Sequence, residues 1–163
     1  ERVLIERNAN NVNVIIRTSK PGIIIGRGGQ GAEEITNELR RLTKKPARLE
    51  IQEIKNPDSY ATLVAQSVAS QIEKRMPFRR VLKQTLDRVA GNKDVTGVKI
   101  QVSGRLGGAD MSRREWLTRG SIPLQTLKAN IDFAQIVAET TYGIIGVKVW
   151  LYKLNILHDS RTA

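Results

Sequence analysis

The six residues Gly26-Arg27-Gly28-Gly29-Gln30-Gly31 restrict the fold more than any other stretch of this chain. So many glycines in so short a span disfavour a regular element running through them and mark a turn. The flanks define what is connected. Pro21-Gly22 and the short run Ile23-Ile24-Ile25 come first. That run is a strand end or one buried helical turn, because it is too short to carry a period. Ile35, Leu39 and Leu42 follow at i, i+4 and i+7, with Glu33 and Glu34 in the first turn and Arg40, Arg41, Lys44 and Lys45 near the end. This spacing predicts an amphipathic helix whose charges complement its macrodipole, stopped by Pro46. Upstream, Val3 and Ile5, then Val12, Val14 and Ile16, alternate with polar residues on either side of Asn8–Asn11, which predicts a hairpin of two half-buried strands. Leu49, Ile51 and Ile54 read as a third strand.

The glycines admit two chemistries. Gly26, Gly28 and Gly31 satisfy G-x-G-x-x-G, with Glu50 downstream, the pattern that seats a dinucleotide pyrophosphate on a helix N-terminus. That pattern needs a strand running straight into the loop, and here Pro21-Gly22 intervenes and a hairpin precedes. The same residues satisfy G-x-x-G, in which glycines let a nucleic-acid backbone lie against the chain, Arg27 adds a cation and the next helix offers its free amides. The order hairpin, short apolar segment, G-x-x-G, amphipathic helix, strand favours the second, the KH mode of single-strand recognition.

At Asn56-Pro57-Asp58-Ser59 the pattern changes, and a domain boundary is placed at about residue 56. Asn56 is set to cap a helix with Pro57 at its first position. Ala61, Val64, Ala65, Val68, Ala69, Ile72 and Met76 form its stripe; Pro77 breaks it. Phe78, Leu82, Leu86 and Val89 start another helix that ends near Gly91. The remainder reads as mostly β, with strands around Val98–Val102, Trp116-Leu117, Ile131–Phe133 and Ile145–Leu151, and a helical stretch from Ala134 to Thr141 before the last of them.

Composition narrows the chemistry. The 27 Lys and Arg exceed the 16 Asp and Glu, for a net charge of +11, which calls for a polyanionic partner. Cysteine is absent and histidine occurs once, at His158, so thiol catalysis, thiolate metal sites and a Ser/His triad have little to draw on. No apolar run is long enough for a membrane-spanning helix. No catalytic residue, cofactor, metal or small-molecule substrate is assigned. The chain begins at Glu1 without a methionine or signal peptide and reads as an excerpt; its composition fits a cytoplasmic compartment. Cations concentrate in two places. Lys74, Arg75, Arg79, Arg80, Lys83, Arg88 and Lys93 are opposed only by Asp87, and Arg79, Arg80 and Lys83 share the polar side of the second helix. A second glycine-rich turn, Ser103–Ala109, carries Arg105 and is followed by Arg113, Arg114 and Arg119. Aromatic residues make up only 4%, so Trp116 and Trp150 are read as core or edge packing rather than base stackers.

The stretch IIRTSKPGIIIGRGGQGAEEI resembles the KH loop of the universal small-subunit ribosomal protein S-three family. PFRRVLKQTL, VSGRLGGADMSRREW, IPLQTLKANIDFA and TTYGIIGVKVWLYK are similar to that family's C-terminal domain, in the family's order. The resemblance implies an α+β fold: a type II KH domain over residues 1–55, incomplete at its N-terminus, then an α/β domain over 56–157 with two helices and a mainly antiparallel sheet, and a tail at 158–163. It implies a structural component of the small-subunit head that binds small-subunit rRNA and neighbouring ribosomal proteins. It also implies contact with mRNA on the side where mRNA enters, and passive help in unwinding it. The candidate RNA-contacting residues are Arg17, Lys20, Gly26, Arg27, Gly28 and Gly29 around the loop, Arg75, Arg79, Arg80 and Lys83 on the second cluster, and Arg105, Arg113, Arg114 and Arg119 beyond it.

Overall fold

The computed structural model describes residues 2–153 of the chain; the tail placed at 158–163, with His158, lies outside them. The chain divides between Pro57 and Asp58 into two compact units.

In the first unit, β1 (Arg2–Arg7) and β2 (Val12–Thr18) form the expected hairpin, with Val3 opposite Ile16 and Ile5 opposite Val14. A short helix α1 (Pro21–Ile25), the glycine turn and α2 (Gln30–Thr43) then carry the chain over to β3 (Ala47–Glu53), which pairs parallel to β2. The order is β1-β2-β3. Ile23–Ile25 is thus a helical turn, but an exposed one: Ile23 is 76% exposed. The helices pack on β3. Val12, Val14, Ala47 and Ile54 are buried, whereas Val3 and Ile5 on the edge strand β1 stay exposed.

The second unit holds the larger core. Helices α3 (Ala61–Glu73) and α4 (Phe78–Ala90) cover one face of an antiparallel sheet of order β5-β4-β7-β6, made of β4 (Val95–Gly104), β5 (Arg113–Gly120), β6 (Ile131–Thr140) and β7 (Gly143–Lys153). Val64, Val68 and Ile72 of α3 and Val81, Leu82 and Val89 of α4 meet Val98, Ile100, Val102, Val147, Val149 and Leu151, the alternate residues of the two central strands.

Two local readings are corrected. The stretch from Ala134 to Thr141 is strand through Thr140, not helix. Ala134, Ile136 and Ala138 face the helices while Gln135, Val137 and Glu139 face away, in register with β7 along its whole length. Helix propensity is a weak preference that such a ladder overrides, and the small alanines leave room for α3. Asn56 does not cap α3. Pro57–Ser59 forms a 3₁₀ turn, α3 starts at Ala61, and the Ala61 amide donates instead to Asp132 Oδ2 at 3.0 Å, from β6. Lys153 Nζ donates to the same oxygen at 2.9 Å and lies over the Tyr60 ring.

Asp132 therefore serves the helix terminus and a half-buried cation together. Replacing it with alanine is expected to lower stability by about 1–2 kcal/mol, the range of a lost helix cap. The change should appear as a lower urea midpoint at unchanged slope. A wild-type midpoint would mean that water satisfies the Ala61 amide equally well.

Candidate nucleic-acid interface

The loop Gly26–Gly29 joins α1 to α2. Gly26 (φ 70°, ψ −175°), Gly28 (φ 63°) and Gly29 (φ 87°) all occupy backbone that side chains disfavour. A Cβ at Gly28 or Gly29 would meet no atom within 4 Å, so the loop leaves clear space outside its backbone. Arg27 stands exposed at the tip. β2 ends at Thr18 and a helix intervenes before the glycines, so the strand-to-glycine entry that a dinucleotide fingerprint requires is missing. Gly31, the third glycine of that pattern, has a packing role: a Cβ there would lie 2.6 Å from the Ile24 carbonyl oxygen.

Lys20 is exposed just before α1, and Arg17, at the end of β2, donates from Nε to Gln52 Oε1 at 3.2 Å. A cleft of about 370 Å³ runs between α2 and the edge strand β3, lined by Thr36, Asn37, Arg40, Leu49 and Ile51 among others. Arg40 was absent from the sequence-based candidates. Its spacing from Thr36, one helical turn, is the signal that places both on the cleft side.

On α4, Val81, Leu82, Thr85, Leu86 and Val89 are buried, and Arg79, Arg80, Lys83 and Arg88 are exposed. Their electrostatic situations differ. Arg79 pairs with Glu115 at 3.3 Å, Arg113 pairs with the same carboxylate at 3.1 Å, and both guanidiniums lie over the Phe78 ring. Arg88 pairs with Asp58 at 3.0 Å, and Arg119 with Asp87. Exposed pairs of this kind contribute little stability; they orient side chains. Arg80 and Lys83 have no such partner among the described residues.

Arg105 is more tightly held. Its Nε donates to the Ala109 carbonyl at 2.9 Å, its NH1 to the Tyr142 carbonyl at 3.2 Å and its NH2 to Asp110 at 3.2 Å. These three bonds tie the second glycine turn to the β6–β7 hairpin and fix the direction of the guanidinium. Arg75 lies in the α3–α4 turn and Arg114 on the sheet face away from the helices, across from Ser103. That uncovered face also carries Trp116, 57% exposed, and Trp150, which rests against Phe133 (centroids 5.2 Å apart) and Lys99. Trp150 fits the packing reading. Trp116 is on an edge strand and stays more than half exposed.

The candidate surfaces are therefore two, each in its own unit: an open glycine turn beside a cleft in the first, and in the second a helix showing cations with no acidic partner among the described residues. Residues 1–59 match the family described as KH domain, so the first unit is a KH module and the chain an RNA-binding protein. Residues 68–151 match the family described as ribosomal protein S3, C-terminal domain. The small ribosomal subunit protein uS3 of Desulforamulus reducens is 49% identical over 160 residues, covering 98% of this chain and 72% of the relative. That of Caldicellulosiruptor bescii is 52% identical over 163 residues (99% and 73%), and the uS3c protein of Porphyra purpurea 48% over 162 residues (98% and 70%). The chain belongs to the ribosomal protein uS3 family of the small ribosomal subunit. As a member it is a structural, RNA-binding ribosomal protein and not an enzyme, which closes the dinucleotide reading.

Proposed function

We propose that the glycine loop and its cleft hold small-subunit rRNA while the exposed face of α4 lines the side of a cytoplasmic small subunit where mRNA enters, between neighbouring ribosomal proteins. Arg80 and Lys83 would hold single strands as they form, so that movement of the ribosome, not any hydrolysis by this chain, supplies the work of unwinding. The observation that carries this reading is the division of α4. Its apolar side is fully committed to the core, while two cations on its other side lack any acidic partner among the described residues. Such a face suits sequence-independent phosphate contact.

The test is translation by ribosomes whose copy carries Arg80→Ala and Lys83→Ala. Elongation into a stable mRNA hairpin is expected to slow severalfold, with the rate on unstructured mRNA unchanged. Equal rates on the hairpin, or equal slowing on both templates, would overturn the proposal.

A further inference from the structure

The α3–α4 turn, the second glycine turn and the β6–β7 hairpin enclose a groove of about 200 Å³, lined by Arg75, Met76, Phe78, Gly108, Thr141 and Tyr142 among others. All of it belongs to the second unit. Its walls are set by contacts already described: Arg105 fastens the glycine turn to the hairpin, and the Tyr142 ring lies 3.2 Å from where a Cβ on Gly108 would be.

Arg75 is the anomaly. Helix α3 ends with the Arg75 amide donating to the Ile72 carbonyl at 2.9 Å and the Met76 amide to the Gln71 carbonyl at 3.2 Å. This ending favours glycine at position 75, and Arg75 has φ +60° there. The fold gives no reason for an arginine in that conformation. Its side chain makes no hydrogen bond or ion pair among the described residues, and no carboxylate lines the groove. Such a lining favours an anionic group. The volume falls below the roughly 300–1,000 Å³ of sites for drug-sized molecules and suits one planar ring. Phe78 and Tyr142 supply aromatic surface, and Thr141 a hydroxyl.

We propose that this groove receives one unpaired nucleotide of bound RNA, its base against Tyr142 and Met76 and its phosphate on Arg75. The proposal rests on the reading of α4 as an RNA-contacting face, since Arg80 and Lys83 bring the strand to this end of the unit. Base stacking on an aromatic side chain is sequence-tolerant, which suits RNA of varying sequence.

The intact protein, free in solution, is titrated with single-stranded RNA containing one 2-aminopurine, with affinity and fluorescence both followed. Arg75→Gly keeps the left-handed turn and removes only the guanidinium. Its thermal midpoint should be no lower than wild type, its affinity about tenfold weaker, and its salt slope reduced by about 0.7, the share of one single-strand phosphate. Tyr142→Leu should abolish the quenching of 2-aminopurine and weaken binding about tenfold, within the range of one lost stacking partner. Unchanged affinity in Arg75→Gly together with unchanged quenching in Tyr142→Leu would overturn the proposal. If Arg80→Ala/Lys83→Ala then still weakened binding, the reading of α4 would survive alone; if it too had no effect, both would fall. Loss of a neighbouring protein from subunits carrying Tyr142→Leu, with RNA binding intact, would reassign the groove to a protein segment and likewise overturn it.

Discussion

Replacing Gly97 with alanine is expected to destabilise the second unit by more than any surface change in the chain, on the order of 3 kcal/mol, as for overpacking against backbone that cannot yield. Gly97 lies in β4 opposite Gly120, where the register between β4 and β7 also shifts. An added Cβ would overlap the Ser121 carbonyl oxygen and stand 2.8 Å from its carbon. Backbone atoms are in the way, not the far end of a flexible side chain. Relief requires β5 to move from β4, which breaks ladder hydrogen bonds and drags Leu117 away from α4. Urea unfolding of Gly97→Ala should give a midpoint well below wild type. A midpoint within experimental error of wild type would show that Ser121 and the loop after it are free to retreat.

The second large effect falls on binding. Changing both Arg80 and Lys83 to alanine should weaken single-stranded RNA binding about a hundredfold at moderate salt, at roughly 1.5 kcal/mol per charge-assisted contact. The slope of log K against log salt should fall by about 1.4, because each phosphate contact on a single strand releases about 0.7 of a counterion. Arg88→Ala is the internal control. Its guanidinium is already engaged by Asp58, so the slope should change by less than half of one contact. Equal slopes for the double variant and wild type would mean that α4 touches no phosphate. Stability should hardly differ, since both side chains lie outside the core.

Much of this was legible in the order of residues. The helix periods of α3 and α4 and the alternation of β2, β4 and β7 are strong because each element buries one side, and burial is what writes a period into sequence; α2 shows its period although none of its residues is fully buried and Leu42 is exposed. The glycine loop was legible because left-handed backbone leaves few alternatives to glycine. Misreadings fell where an element answers to a distant partner. β6 became a strand because β7 lies beside it, and its alanines carry a helical bias of their own. The cap of α3 came from Asp132, far along the chain, while the local Asn56 offered a plausible substitute. Charge was the least legible property. Arg79, Arg80, Arg105 and Arg113 look alike in sequence, yet Arg105 is bound to two carbonyls and Asp110 and Arg79 shares a carboxylate with Arg113, whereas Arg80 has no ion pair among the described residues. Only three-dimensional proximity to Glu115, Asp110 and two carbonyls separates them.

The strand order of the second unit also fixes when it can exist. β7 is the last described strand made, yet it lies inside the sheet between β4 and β6. Until Gly143–Lys153 has left the peptide tunnel, β4 is paired only with β5, and the valines that α3 and α4 cover on β7 have not arrived. The first unit, whose sheet closes with β3, can form while the rest is still being synthesised. A nascent chain stopped short of Gly143 should therefore carry a folded first unit and a protease-sensitive second one, its helices built but their apolar sides exposed to chaperones. The second unit of this ribosomal protein therefore closes only once the ribosome making it has released the strand that lies between β4 and β6.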